Sequence, residues 1–183
     1  MLQLILFLVA SAGIVYVSRA SVRTPRSHGF YRFFAWEFIL ILILLNLEKW
    51  FHNPFSMHQI ISWFMLFVSL FLVVHGVYLL HRIGKPDDRR SEDGATIRFE
   101  KTTTLVVVGA YKHIRHPLYS SLLFLAWGVF FKDPSWLGGI LALAATIFLV
   151  VTAKVEEAED IRFFGPAYQI YRKQTKMFIP FLF

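Results

Sequence analysis

The chain has 183 residues, of which 56% are hydrophobic and 17% aromatic, with 20 Phe and a formal net charge of +7. Soluble domains carry about a quarter charged residues; at 17% charged this chain has too little polar surface to cover its apolar content in water, whereas a bilayer would accept it. The absence of cysteine excludes disulfides, thiolate metal sites and cysteine nucleophiles, and no other metal-ligand pattern stands out. The length suits one domain, 1–183.

Five apolar runs occur in chain order: 2–17, 33–47, 60–80, 118–131 and 136–153. A membrane span needs roughly 20 apolar residues. The third run meets this outright, and the first two reach it with their flanks. The first also invites reading as a signal peptide, since Ala10-Ser11-Ala12 resembles a cleavage site. However, no basic stretch precedes it and Arg19 comes after it, so a retained span is expected. The fourth and fifth runs are marginal singly and are joined only by Lys132-Asp133-Pro134-Ser135. They read as an antiparallel helical hairpin whose first arm is short enough to stop before a full crossing. The expected fold is therefore an all-α membrane protein of about five transmembrane helices.

The basic residues sort by side. Arg19, Arg23, Arg26 and Arg32 follow the first run. Arg82, Lys85, Arg89, Arg90, Arg98, Lys101, Lys112 and Arg115 lie between the third and fourth. Lys154, Arg162, Arg172, Lys173 and Lys176 lie beyond the fifth, and only Lys49 and Lys132 fall on the other side. Positive-inside bias then puts the N-terminus outside and the C-terminus in the cytoplasm. The same charge selects anionic lipid headgroups over nucleic acid as the partner, given the apolar runs beside it. Without a retention or transit signal, a prokaryotic cytoplasmic membrane is expected. Two cytoplasmic pieces result, 81–117 and 154–183, both longer than turns and of a length that usually carries function. Within the first, 85–94 is charged and rich in turn formers, as in a surface loop.

Residues 105–119 form the first candidate site. An apolar stretch ends at Gly109, and a basic cluster ends at Pro117, which opens the fourth span. Arg115 and His116 thus sit beside a helix N-terminus, which favours an anion. The plainer reading is positive-inside charge followed by a helix start. The second candidate is Glu156, Glu157, Glu159 and Asp160, just past the fifth span, where anionic lipid would repel them. Glu156 and Asp160 share a helical face, with Glu157 about 100° away. A bound cation would relieve their repulsion, and so would Lys154 and Arg162 on a solvated helix. Together an anion-binding helix start and an acidic pair complement an amino acid, or the methionine end of S-adenosylmethionine, whose sulfonium adds positive charge.

Gly165-Pro166 ends one helix and opens another. Tyr168 and Tyr171 share a face of the second, and the aromatic end 177–183 suits a membrane interface. Glu37 and His75 lie within spans, where ionisable residues are functional suspects. Glu37 is also close enough to Arg32 to reach the surface, and His75 fits an interhelical hydrogen bond. No G-x-G-x-x-G, H-E-x-x-H or G-x-S-x-G occurs.

Leu105-Val106, Gly109, Tyr111 and Arg115-His116-Pro117-x-Tyr119, then Glu156-Glu157, then Phe164-Gly165-x-x-Tyr168-x-x-Tyr171 and a Pro-containing apolar end, occur in that order. The combination resembles the isoprenylcysteine carboxyl methyltransferase family. Its wider relatives include phospholipid N-methyltransferases and prokaryotic membrane methyltransferases. The first three spans match only in hydropathy. The resemblance implies a cofactor, S-adenosylmethionine, held between the last two spans, the cytoplasmic loop and the helical tail. Thr103, Thr104, Leu105, Val106 and Tyr111 would line its adenosyl side. His116, Pro117, Leu118 and Tyr119 would continue the pocket, and Glu156 would hold the methionine end. Glu157 and Arg115 are the candidate catalytic residues, with Glu157 as base if the acceptor is an amine. The acceptor implied is a lipid-like or isoprenoid molecule that enters from the bilayer.

Two positions depart from the pattern. Ser121 stands where glycine is usual. Thr152 stands where prenylcysteine methyltransferases place an arginine on the substrate carboxylate, which weakens the case for a carboxylate acceptor. Two other readings stay open: a lipid or sterol reductase using NADPH, which shares the Arg-His-Pro stretch, and a non-enzymatic membrane scaffold. Neither the acceptor nor the oligomeric state is legible in the sequence.

Overall fold

The computed structural model describes residues 1–85 and 102–182. Most of the charged 85–94 stretch therefore lies outside the described residues. Among these, the chain forms six α-helices: α1 (Leu2–Val22), α2 (His28–Leu45), α3 (Met57–Arg82), α4 (Pro117–Phe130), α5 (Trp136–Phe164) and α6 (Pro166–Gln174). Short 3-10 turns occupy Leu47–Lys49 and Gly109–Lys112.

The helix starts reflect local capping chemistry. The Ser27 hydroxyl accepts from the Phe30 N–H at 3.2 Å and starts α2 earlier than its apolar run suggests. Arg32 is thus a helical residue rather than a loop residue. Ser135 accepts from the Gly138 N–H at 3.1 Å and opens α5. Proline opens both α4 and α6.

Helices α1, α2, α3 and α5 are long and apolar enough to cross a membrane, so the chain is an integral membrane protein. Four helices meet that test rather than five. The fourth apolar run folds into α4, which has only 14 residues, about 21 Å at 1.5 Å per residue against a hydrocarbon core of about 30 Å. Helix α5, by contrast, does not stop where its apolar run does. It continues through the acidic cluster to Phe164.

Helix α1 packs on α2, α2 on α5, α5 on α4, and α4 on α3. One core cluster joins α2, α4 and α5 through Ile39, Leu42, Ala126, Val129, Leu141, Ala142 and Ala145. The alanines matter because without a hydrophobic drive between helices in lipid, close van der Waals approach holds them together. The α3–α4 seam uses the same device. Ser62, Ser69 and Gly76 recur every seventh residue on α3 and meet α4 running the other way. The Ser62 hydroxyl donates to the Gly128 carbonyl at 2.6 Å and Ser69 to the Ser121 carbonyl at 2.7 Å. A Cβ on Gly76 would lie 2.9 Å from Leu118 Cδ2. Ser121 turns its own hydroxyl back onto the Leu118 carbonyl at 2.6 Å, so serine replaces glycine there without opening the seam.

The turn between α4 and α5 is fastened as well. Lys132 is buried. Its ammonium donates to Gln59 Oε1 at 3.1 Å and to the Trp50 carbonyl at 3.3 Å, and lies 3.4 Å from the Trp63 ring centroid. The hairpin expectation therefore holds, but its basic residue points into the protein rather than toward lipid headgroups.

The register fixes the depth of α4. Its first residues face Gly76 of α3, about 9 Å along that helix before it ends at Arg82. The N-terminus of α4 is sunk beneath the surface that α3 and α5 reach. A Cβ on Gly128 would sit 3.0 Å from Leu66 Cδ2 and 3.3 Å from the Leu66 backbone nitrogen, whereas one on Gly13 of α1 would meet nothing within 4 Å. Gly128→Val is expected to cost about 1–3 kcal/mol through overpacking. Gly13→Val should leave stability nearly unchanged. Thermal unfolding of both variants in the same detergent checks the contrast.

Candidate active site

The recess above α4 is filled from three directions. From α5 come the acidic residues of its projecting end. From the segment before α4 come Thr102 to His116. From beyond α5, Gly165 takes φ +59°, a conformation that suits glycine, and turns the chain so that α6 folds back over the recess. Tyr171 of α6 donates its hydroxyl to the Tyr111 carbonyl at 2.7 Å. The strand-like tail beyond α6 then pairs with the stretch before α4. The Arg115 N–H donates to the Lys176 carbonyl at 2.8 Å, His116 to the Met177 carbonyl at 3.2 Å, and Lys176 to the His113 carbonyl at 3.1 Å. Phe178 is buried with Tyr119, Leu149 and Ala153, and its carbonyl accepts from the Ser120 hydroxyl at 2.8 Å.

These elements enclose a cavity with about 590 Å³ of non-atom space, counting its open mouth. Of the residues expected at the site, Leu105, Val106, Tyr111, Arg115, His116, Leu118, Tyr119 and Glu156 line it. Thr103, Thr104, Pro117 and Glu157 do not. Thr103 and Thr104 are exposed, and their N–H groups donate to the Gly84 carbonyl at 3.0 and 3.2 Å, so they fasten the loop to the end of α3. Pro117 is buried beneath as the first residue of α4. Thr102, Leu80, Asp160, Phe164, Tyr168 and Tyr171 also line the cavity, beyond the residues expected there. Four of them carry a signal in the sequence, Phe164 as part of the Phe164-Gly165 motif. Asp160 lies one helical turn after Glu156, and the two tyrosines share a face. Leu80 and Thr102 carry no such signal, because only the return of the loop onto α3 brings them in.

The acidic residues are not paired with Lys154 and Arg162, as a solvated helix would have it. Arg162 Nε donates to the Ala158 carbonyl on its own helix. Their partners come from elsewhere in the fold. Glu157 Oε1 accepts from Arg115 Nε at 2.6 Å and lies 3.4 Å from His116 Nε2. Glu156 Oε2 is 3.2 Å from His116 Nδ1. Glu159 Oε2 is 2.5 Å from Nδ1 of His28, at the start of α2. Arg115 also donates from Nη1 to the Thr175 and Arg172 carbonyls. One guanidinium thus ties the end of α5 to the end of α6.

Burial alone would lower the pKa of His116. The two carboxylates that bracket its ring outweigh burial and raise it to about 9. Burial pushes the Tyr168 and Tyr171 hydroxyls far up, and nearby Asp160 adds to it in both, so neither ionises at neutral pH. Glu37 and His75 lie apart from the cavity lining. Glu37 accepts from Ser11 of α1 at 3.0 Å. His75 stacks on Phe71 and abuts Gly109, where a Cβ would come within 2.5 Å of its Nε2. With φ at +59°, Gly109 is held to glycine twice over.

The chain is similar in sequence to known proteins. The chain is 30% identical over 122 residues to methanethiol S-methyltransferase 1 of Bradyrhizobium diazoefficiens, covering 65% of this chain and 39% of that protein. It is 37% identical over 75 residues to methanethiol S-methyltransferase 2 of the same organism, covering 40% and 27%. With the methanethiol S-methyltransferase of Pseudomonas deceptionensis it shares 32% over 74 residues, covering 39% and 27%. The chain is similar in sequence to methanethiol S-methyltransferases. Each match spans well under half the length of these relatives. No protein-family model matches the chain, and no solved structure does. The kinship agrees with the resemblance to membrane methyltransferases carried by Arg115-His116-Pro117 and the residues after it, and no match speaks for a reductase.

The raised pKa of His116 fixes a sign for stability against pH. A histidine whose proton is held more tightly when folded stabilises the fold fully below its ordinary pKa near 6.5, and the contribution fades as pH rises through about 9. Thermal unfolding in detergent between pH 6 and 10 should show wild-type stability falling across that window. His116→Gln should start lower and show little of that fall.

Proposed function

We propose that the chain is an S-adenosylmethionine-dependent methyltransferase whose cofactor occupies the recess above α4. The observation that carries this reading is the composition of the recess wall. Glu156 and Asp160 line the recess from α5, and Arg115 and His116 line it from the segment before α4, with His116 in contact with Glu156, and Phe164, Tyr168, Tyr171 and Tyr111 complete the lining. An α-amino group and a sulfonium call for the carboxylates, an α-carboxylate calls for the basic residues, and an adenine ring calls for apolar and aromatic walls. S-adenosylmethionine supplies a methyl group already activated by the sulfonium. The protein's task is to align the acceptor and keep water out, and alignment of this kind contributes about 7–11 kcal/mol. Tyr168 and Tyr171, neutral and buried, close the cytoplasmic side. Arg115 holds α5, α6 and the tail in place around the site.

Glu157 is the base that an amine acceptor would call for, but its carboxylate is engaged by Arg115 and His116 behind the cavity wall. We therefore assign it to positioning. An acceptor that ionises without a strong base suits such a site. Thr152 adds to this: it is buried and donates to the Phe148 carbonyl at 2.7 Å, so that position offers no positive charge to a substrate carboxylate. A small lipophilic thiol, of the class named for the relatives, carries no carboxylate and so needs no positive charge at that position, and its thiolate is the nucleophile. Such a molecule would reach the recess from the bilayer. In this reading the basic face is cytoplasmic and the N-terminus lies outside.

Calorimetric titration of the detergent-purified chain with S-adenosylmethionine tests the cofactor. Saturable binding is expected. Glu156→Gln and Asp160→Asn should each weaken it by roughly ten- to a hundredfold, the range for losing a hydrogen bond to a charged group. Full affinity in both variants would remove the cofactor assignment. Incubation with labelled S-adenosylmethionine and either methanethiol or phosphatidylethanolamine then decides the acceptor. Label in a volatile sulfide supports the thiol, and label in lipid replaces it with an amine.

A further inference from the structure

A second concavity lies on the other side of Arg115. It is bordered by Arg172, Lys173, Lys176, Met177 and Leu182, with about 720 Å³ of space open to solvent. We propose that it is a binding site for the headgroup of an anionic phospholipid of the surrounding bilayer.

Four observations carry this. The first is uncompensated charge. Among the described residues neither Lys173 nor Lys176 has a carboxylate partner, and Arg172 only approaches Glu157, at 3.9 Å. The second concerns the end of α6, whose free carbonyls would ordinarily favour cations and repel an anion. Here two of those carbonyls are already engaged. Arg115 donates to the Arg172 and Thr175 carbonyls, and the Thr175 hydroxyl donates to the Tyr171 carbonyl at 2.7 Å. The rim that remains is positive.

The third observation is placement. Phe178 and Met177 are packed with Ala35, Leu149 and Ala153 of the spans, which holds the tail against the membrane-spanning helices. The fourth is the exposed apolar end of the tail. Phe181 is 87% exposed and Leu182 77%, and Leu182 borders the same concavity as the lysines. Apolar and basic side chains on one concavity match a phospholipid, which joins acyl chains to a phosphate. A soluble phosphate ligand would have no use for the apolar part. Basic residues at the membrane surface attract anionic lipid by about 1 kcal/mol each.

Arg115 borders both this concavity and the recess, so a lipid seated here would touch the residue that fastens the α6 cover. The proposal does not depend on which molecule is methylated.

Native mass spectrometry of the full chain, released from bilayers of equal phosphatidylglycerol and phosphatidylcholine, tests it. Wild type should retain phosphatidylglycerol preferentially. Lys173→Gln with Lys176→Gln should lower the ratio of the two lipids about fivefold for each lysine, the factor to which about 1 kcal/mol converts. Lys173→Arg with Lys176→Arg should keep it. Leu182→Ser should reduce retained lipid while leaving the preference in place. Equal retention of both lipids by wild type, an unchanged ratio in the double glutamine variant, or displacement of the lipid by millimolar inorganic phosphate would each overturn the assignment. The last would mark a free-phosphate site. The lysines are exposed, so unchanged helicity by circular dichroism separates lost binding from lost fold.

Discussion

Helix α4 is too short for the bilayer, and the polar architecture of the protein is organised around that shortfall. A helix of 14 residues leaves its first N–H groups below the level at which its neighbours emerge. In hydrocarbon those groups would cost several kcal/mol each unless protein or water met them. The chain meets this by packing polar segments into the gap: the loop before α4, the end of α5, α6 and the tail. The recess is the space left between them. A full-length fourth span would have filled the volume in which the site now lies.

Charge is arranged under the same constraint. An acidic cluster at the end of a span is out of place beside anionic lipid. In this fold it is turned inward, and carboxylates meet basic groups from distant segments: His28 from α2, His116 and Arg115 from the stretch before α4, Arg172 from α6. Breaking one partner of such a buried pair leaves the other uncompensated, which is far more costly than losing a surface ion pair. The cluster therefore fixes the positions of four segments at once, and Glu156 and Asp160 reach the cavity only because Glu157 anchors the helix from the opposite side.

The tail has two faces with different tasks. Its inner face, Thr175, Met177 and Phe178, completes the wall of the site through backbone pairing with residues 113–116. Its outer face carries lysines and exposed aromatic and aliphatic side chains. One short segment therefore joins the candidate site to the concavity beyond Arg115.

Much of this was legible before folding. The apolar runs mark the spans because hydrocarbon burial depends on local composition and length. Pro117, Pro166 and Gly165 mark the helix breaks because backbone restriction is local. The i, i+4 spacing of Glu156 and Asp160 and the shared tyrosine face placed those side chains correctly, since helical periodicity needs no tertiary information. Anything set by depth or by distant pairing lay beyond the sequence. It did not show that α4 stops short while α5 runs on, because that depends on the register of Gly76 and Gly128 between α3 and α4. It did not show that Glu157 faces Arg115 rather than the cavity, that Thr103 and Thr104 bind Gly84, or that Lys132 is buried on Trp63. Each of these rests on side chains many residues apart meeting at distances of a few ångströms, and only the packed helices bring them there.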